Sequence, residues 1–167
     1  SLIEYRHKRE KLIKEFSVTE FSHPLGEFRL HTFKSILDDR IHYVLSHGKW
    51  SKSKTPMIRV QTANVVSDVL GYSNEGESRN SVNESLSAIV SHGCGALLYL
   101  EPRRNDQQTK DATHMSKVLK LPIMDFRDYG IGAQILAALG ISKLVLLSRD
   151  KRRVIGLEGY GLEIVKR

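Results

Sequence analysis

The stretch MDFRDYGIGAQILAALG, residues 124–140, crowds charged side chains in front of a helix with an apolar face. Asp125, Arg127 and Asp128 stand there within four positions of one another. Acids and a base packed so closely before a helix start are typical of an active-site loop. An arginine beside two acids is also typical of a structural ion-pair cluster, in which Asp128 would cap a helix beginning near Ile131. The sequence leaves both interpretations open.

A second group of charges, SRDKRR, occupies residues 148–153 at the end of an apolar run. Phosphate sites often lie where a buried strand ends, so this run is a candidate phosphate contact; its alternative is a solvated helix start. The net charge of +7 comes largely from here and from residues 6–14. Aromatic residues make up only 7% of the chain and no nucleic-acid-binding module is recognised, so we expect nucleic acid not to be the partner.

Other chemistries have little support in the sequence. The single cysteine, Cys94, cannot form an internal disulfide, which favours a reducing, cytoplasmic compartment. Among the seven histidines, His42 and His47 flank a strand, and no pair has the spacing of a metalloprotease motif. We expect the histidines to be exposed or partly buried, with no metal role. We also expect no membrane contact, since no apolar run approaches the length of a span.

Hydrophobic spacing predicts a mixed α/β fold in which helices flank the sheet. Strands are expected at 28–33, 41–48, 57–66, 95–101, 121–126, 143–148 and near 160–167. Helices are expected at 81–92, 112–119, 131–139 and 149–159. The alternation of strands and helices in the second half indicates a parallel part of the sheet.

The chain begins with a segment that has helical spacing, LIEYRHKREKLIKEF. We therefore expect residues 1–16 to be a linker helix that leads from an upstream domain, and residues 17–167 to form the α/β domain.

Eight segments in order resemble one enzyme family. They are LIEYRHKREKLI, GEFRLHTF, DDRIHYVLSHG, RVQTANVVSDVLG, ALLYLE, RDYGIGAQIL, LVLLS and GYGLEIVKR. Together they are similar to GTP cyclohydrolase II, in particular to the C-terminal half of bifunctional riboflavin-biosynthesis proteins whose N-terminal half is 3,4-dihydroxy-2-butanone 4-phosphate synthase. The resemblance covers essentially the whole chain and implies a mixed sheet with flanking helices and a homodimer.

The resemblance also implies a zinc-assisted opening of the guanine ring, with loss of formate and pyrophosphate and with magnesium accompanying the phosphates. In the family three cysteines hold the zinc. The first falls here on Asn64, and the other two fall on either Glu75 and Glu77 or Gly76 and Ser78. Since none of these is a thiolate, we expect no zinc and no resident cofactor, although magnesium remains an expectation if a nucleotide binds.

The remaining family sites are partly retained. Asp125 and Arg127 match residues that resemble a proton-transfer group and an α-phosphate contact. Arg103 and Arg104 lie in EPRRN, where the family has a glycine-containing nucleotide loop. Ser148 and Arg153 stand where the family has a threonine and a lysine near the phosphates. We expect residual nucleotide or phosphate binding at these four positions and a residual catalytic role at Asp125 and Arg127; solvated or structural roles are the alternative.

The sequence thus favours a non-catalytic or impaired cyclohydrolase-like domain that supports assembly or regulation of a butanone-phosphate synthase half. The alternative is an active cyclohydrolase-type hydrolase with an altered metal site, which converts GTP to formate, pyrophosphate and a diaminopyrimidine ribosyl phosphate.

Overall fold

The structure is a computed structural model, and it describes residues 10–73, 81–103, 126–148 and 151–165. Its strands are β1 (Ile13–His23), β2 (Gly26–Ser35), β3 (Ile41–His47), β4 (Met57–Thr62), β5 (Gly95–Leu100), β6 (Lys143–Leu146) and β7 (Glu163–Val165). Its helices are α1 (Val65–Asp68), α2 (Ser81–His92), α3 (Phe126–Ala138) and α4 (Lys151–Glu158). The predicted helix at 112–119 and residues 121–125 of a predicted strand lie outside the described residues.

The described strands form one sheet in the order β1-β2-β3-β5-β4-β6-β7. From β1 to β5 each neighbouring pair is antiparallel, and from β5 to β7 each pair is parallel. The mixed α/β sheet with flanking helices that the sequence predicted is therefore confirmed. The parallel half brings the carboxyl ends of β4, β5 and β6 to one edge of the sheet.

Helices cover both faces of this sheet. On one face Ile135 and Leu136 of α3 belong to a fully buried cluster with Leu98 of β5. On the other face Leu86 of α2 is buried with Leu97 of β5. Each fully buried aliphatic side chain of this kind contributes about 1.5–3 kcal/mol, so the central strand β5 is fixed from both sides.

Three predicted boundaries are corrected by the structure. Residues 13–16 begin strand β1 instead of ending a helix, because pairing with β2 and burial of Ile13 outweigh the helical spacing; residues 1–9 lie outside the described residues. Strand β4 ends at Thr62, because Asn64 caps α1. Helix α3 begins at Phe126, so Asp128 lies in its first turn and is not its cap.

Candidate functional site

Most of the predicted site residues are described, and they lie around the carboxyl edge of the parallel strands. Asn64 follows β4, Arg103 follows β5 and Ser148 follows β6. Arg127 lies at the start of α3 and Arg153 lies on α4. Asp125 and Arg104, together with the alternative positions of two family cysteines at 75–78, lie outside the described residues.

Arg103 and Arg127 meet at a small cavity of about 100 Å³, which we call the arginine pocket. The pocket is lined by Leu12, Ser35, Leu37, Asp38, Arg40, Arg103, Arg127 and Ile131. A third guanidinium, that of Arg40, therefore joins the two arginines that the sequence predicted. Three cations around one cavity favour an anionic ligand.

Two carboxylates pair with the arginines of this pocket. Oδ2 of Asp38 lies 2.9 Å from Nε of the buried Arg40, and Oδ1 of Asp128 lies 3.5 Å from Nη1 of Arg40. The same Asp128 oxygen lies 3.9 Å from Nη2 of Arg103. Burial opposes the ionisation of Asp38, but its hydrogen bonds with Arg40 and the charge of Arg40 hold its pKa below the ordinary value. Asp38 and Asp128 thus form an ion-pair cluster with Arg40 and Arg103 at the edge of the cavity.

A buried histidine supports the pocket from behind. The backbone N–H of Glu101 donates to Nδ1 of His42 over 3.0 Å, so in the neutral ring Nε2 carries the proton and donates to Oγ of Ser35 over 2.9 Å. Burial and the charge of Arg40 lower the pKa of His42 to about 4. His42 is fully buried, so the prediction that it would be exposed or partly buried is wrong. Arg40 and His42 were not among the predicted site residues, although both stand in DDRIHYVLSHG, one of the segments that carry the family resemblance.

At the end of β4 a different arrangement surrounds Asn64. Oδ1 of Asn64 accepts the backbone N–H groups of Val66 over 3.1 Å and of Ser67 over 3.3 Å, so its side chain caps α1. The backbone N–H of Asn64 donates in turn to Asp68 over 3.0 Å. Asn64, at the predicted position of the first family cysteine, thus uses its side-chain oxygen to cap the helix that follows it.

Asp68 is the centre of these contacts, which we call the Asp68 network. Its carboxylate accepts from Nε2 of Gln61 over 2.9 Å and from the hydroxyl of Tyr99. Burial and the neighbouring Asp68 raise the pKa of Tyr99, so Tyr99 remains a protonated donor. The network ties β4, β5 and α1 together through one carboxylate.

A second pair of arginines lies between β4, β6 and α4. Nη1 of Arg153 donates to the carbonyl of Val60 over 2.8 Å, and Nη1 of Arg59 donates to the carbonyl of Leu147 over 3.2 Å. Burial and the charge of Arg153 lower the pKa of Arg59 to about 10. Ser148 follows Leu147 directly and is partly buried. Arg59 was not among the predicted site residues.

Within the described ranges no three side chains of the His, Cys, Asp and Glu types are grouped so that they could hold a metal ion. A larger groove of about 270 Å³ lies on the α2 face of the sheet, where its lining is mainly apolar and aromatic. Asp68 and Tyr99 border this groove. None of the described helices is long and apolar enough to cross a membrane.

Comparison with known proteins gives consistent matches. A family model described as GTP cyclohydrolase II matches residues 14–167. The riboflavin biosynthesis protein RibBA of Aquifex aeolicus is 31% identical over 180 residues, covering 99% of this chain and 44% of that protein. The monofunctional riboflavin biosynthesis protein RIBA 2, chloroplastic, of Arabidopsis thaliana is 32% identical over 171 residues, covering 98% and 35%.

A solved structure shares the fold. It is the crystal structure of RibBX, a two domain 3,4-dihydroxy-2-butanone 4-phosphate synthase from A. baumannii, with a TM-score of 0.60 and 24% sequence identity. The match covers 99% of this chain and 42% of that chain. The chain thus spans less than half the length of each of these three proteins.

Proposed function

Because the chain belongs to the GTP cyclohydrolase II family, we propose that it is a cyclohydrolase-like domain of riboflavin biosynthesis whose ring-opening activity is lost or impaired. We propose further that it supports the assembly or regulation of a butanone-phosphate synthase half. The whole protein would then be a cytoplasmic homodimer whose synthase half is active and whose cyclohydrolase-like half has lost most or all of its activity.

The proposal rests mainly on the observation that the Asn64 side chain caps α1. The resemblance implies a zinc ion held by thiolates, and the first of them would stand at Asn64. The Asn64 side-chain oxygen already accepts two backbone N–H groups of α1. An amide in this role does not match the soft, charged donors of catalytic zinc, and no cysteine lies near it among the described residues.

The synthase half as a partner is supported by the matched proteins. The name of the A. baumannii protein describes a two-domain synthase, and the chain corresponds to 42% of its length. A domain that has kept its fold without a metal-bound nucleophile can still be retained for contacts with a neighbouring domain. The homodimer follows from the same resemblance, the cytoplasmic compartment follows from the single cysteine, and both stay proposals.

A second candidate function is an active cyclohydrolase-type hydrolase with an altered metal site. The arginine pocket favours this candidate, since Arg103 and Arg127 remain together where a phosphate could bind. A partial reaction, release of pyrophosphate from GTP without ring opening, would need only this phosphate-binding part, with magnesium on the nucleotide.

Titration of the protein with GTP in the presence and absence of zinc and magnesium, reading binding heat and formate release together, separates these candidates. The first proposal expects formate release to be absent or slow under every condition, whether or not heat of binding is seen. Rapid formate release that depends on added zinc or magnesium would overturn it and establish the second candidate. Pyrophosphate without formate would support the partial reaction, and Arg127→Gln should then abolish that release.

A further inference from the structure

A single side chain of α3 holds the chain segment that leads into β1. Nε2 of Gln134 donates to the carbonyl of Glu10 over 2.6 Å, and Oε1 of Gln134 accepts the backbone N–H of Leu12 over 2.7 Å. The amide thus pairs with the backbone as a neighbouring strand would. We call residues 10–13 the arm and this double hydrogen bond the Gln134 clamp.

The arm is also a wall of the arginine pocket. Leu12 is 5% exposed and lines the pocket together with Ile131 of α3. The carbonyl of Leu12 accepts the backbone N–H of Ile36 over 2.9 Å, which joins the arm to the turn that carries Asp38 and Arg40. A molecule that fills the pocket would therefore touch the arm itself.

Helix α3 connects the pocket to the clamp. Arg127 lies in the first turn of α3, and Gln134 follows seven residues later, about 10 Å along the helix axis. Because a packed helix moves as a rigid body, a shift of its first turn is passed to the clamp. The arm is thus linked to the pocket directly by Leu12 and indirectly by α3.

We infer that the arm is a regulatory element: a phosphate-bearing anion held by the arginine pocket tightens the Gln134 clamp and so holds residues 10–13 more firmly against α3. This inference rests on the proposed regulatory function and on phosphate binding in the pocket. Binding of the anion to the clamped state in preference to the open one is all that the coupling needs.

The test is hydrogen exchange of the arm, followed by mass spectrometry of the full chain with three probes: inorganic pyrophosphate, GTP and ribose 5-phosphate. Sodium chloride at matched ionic strength corrects for screening. With a probe that binds, we expect exchange in residues 10–16 to slow at least threefold. Comparing the dissociation constants of GTP and ribose 5-phosphate shows which source of phosphate the pocket prefers.

Gln134→Ala removes the clamp without touching an arginine. It should speed exchange of residues 10–16 in the absence of probe and abolish the slowing by probe, and pyrophosphate affinity should fall about threefold, because the preference of the anion for the clamped state is lost. Gln134→Glu keeps the acceptor for the N–H of Leu12 but loses the donor to Glu10. Its exchange rate for residues 10–16 should lie between those of the unaltered chain and Gln134→Ala, which separates loss of the clamp from a folding defect. Asn83→Ala, on the opposite face of the sheet, is the matched control and should exchange like the unaltered chain.

The possible failures are distinguishable. If none of the three probes binds, the hypothesis of phosphate binding in the pocket is wrong, and this inference is wrong with it. Binding without slowing in the unaltered chain would overturn the inference alone. Slowing that persists in Gln134→Ala would show that the clamp does not carry the coupling.

Discussion

The arginine pocket and the Asp68 network lie at the same edge of the sheet, but they are built around charges of opposite sign. In the pocket three guanidiniums face a cavity, and two carboxylates, Asp38 and Asp128, pair with them. In the network one carboxylate accepts several donors from β4, β5 and α1. The described part of the pocket gathers guanidinium groups around a cavity, whereas the network gathers hydrogen-bond donors around one carboxylate.

This difference teaches how a family site can be divided between two roles. A carboxylate whose acceptor sites are all used is a structural crosslink, since a ligand would have to break existing hydrogen bonds to bind there. At the pocket an anion would share guanidinium donors with Asp38 and Asp128, because Arg40 and Arg103 already pair with these carboxylates. In our proposal the metal half of the resembled site has become structural, and the phosphate half is the part that would still bind a ligand.

The largest effect is expected for Asp68→Ala. The change removes the Asp68 acceptor from Gln61 Nε2, from the N–H of Asn64 and from the Tyr99 hydroxyl. Gln61 Nε2 keeps only a long hydrogen bond of 3.5 Å to the hydroxyl of Ser81. At 1–3 kcal/mol for each buried unsatisfied donor, partly relieved by water, we expect the free energy of unfolding to fall by about 4 kcal/mol. Urea denaturation measures it. Asp39→Ala is the matched control, because the Asp39 side chain is fully exposed, and it should cost less than about 0.5 kcal/mol. Equal effects of the two changes would show that the network is not a crosslink.

The next effect is a pH dependence that belongs to the pocket. The pKa of His42 is about 4 in the folded chain, below its ordinary value of 6.5. The unfolded chain therefore binds more protons between these values, so stability is complete above pH 6.5 and is lost as the pH falls towards 4. The loss is about 3 kcal/mol at most.

Unfolding free energies at pH 7 and pH 4.5 test this dependence. His42→Asn should flatten the difference between the two, because asparagine keeps an acceptor for Glu101 without titrating. His92→Asn, which alters an exposed ring, should leave the difference unchanged. A pH dependence that survives in His42→Asn would assign it to other groups.

The smallest effect compares the two pairs of arginines. Arg127→Gln removes a charge from the pocket, and we expect the dissociation constant for pyrophosphate to rise about tenfold, or about 1.4 kcal/mol. Arg153→Gln should change it less than about threefold, because the guanidinium of Arg153 donates to the carbonyl of Val60. Calorimetric titration at two salt concentrations measures both. The reverse ranking would move phosphate binding to the β4 and α4 side.

Much of the fold was predictable because it depends on local periodicity. The apolar runs at 95–100 and 143–146 are buried strands as expected, and the helical spacing at 81–92 gave α2 with its observed bounds. The strand at 13–23 was missed, since its residues alternate weakly and most are exposed on an edge strand. Pairing with β2 decides that segment, and pairing is not visible in local spacing.

Candidate site residues could be predicted from the sequence only where a family motif contains them. Arg103 and Arg127 were named from the sequence as candidates, and in the structure both line one cavity; their phosphate-binding role stays a prediction. Arg40, His42 and Asp68 were not, because a distant chain segment, β3 or the end of β4, carries each of them into place. The Asp125 and Arg104 predictions lie outside the described residues and stay predictions.

By itself the sequence determined the family resemblance, the mixed α/β class and the absence of cysteine at Asn64, because residue identity and periodicity are local properties. Only the tertiary structure decided that Asn64 caps a helix, that Asp68 joins three elements and that Arg40 completes a pocket walled by Leu12. These outcomes depend on which strands become neighbours, and that is set by burial of the whole core on both faces of the sheet.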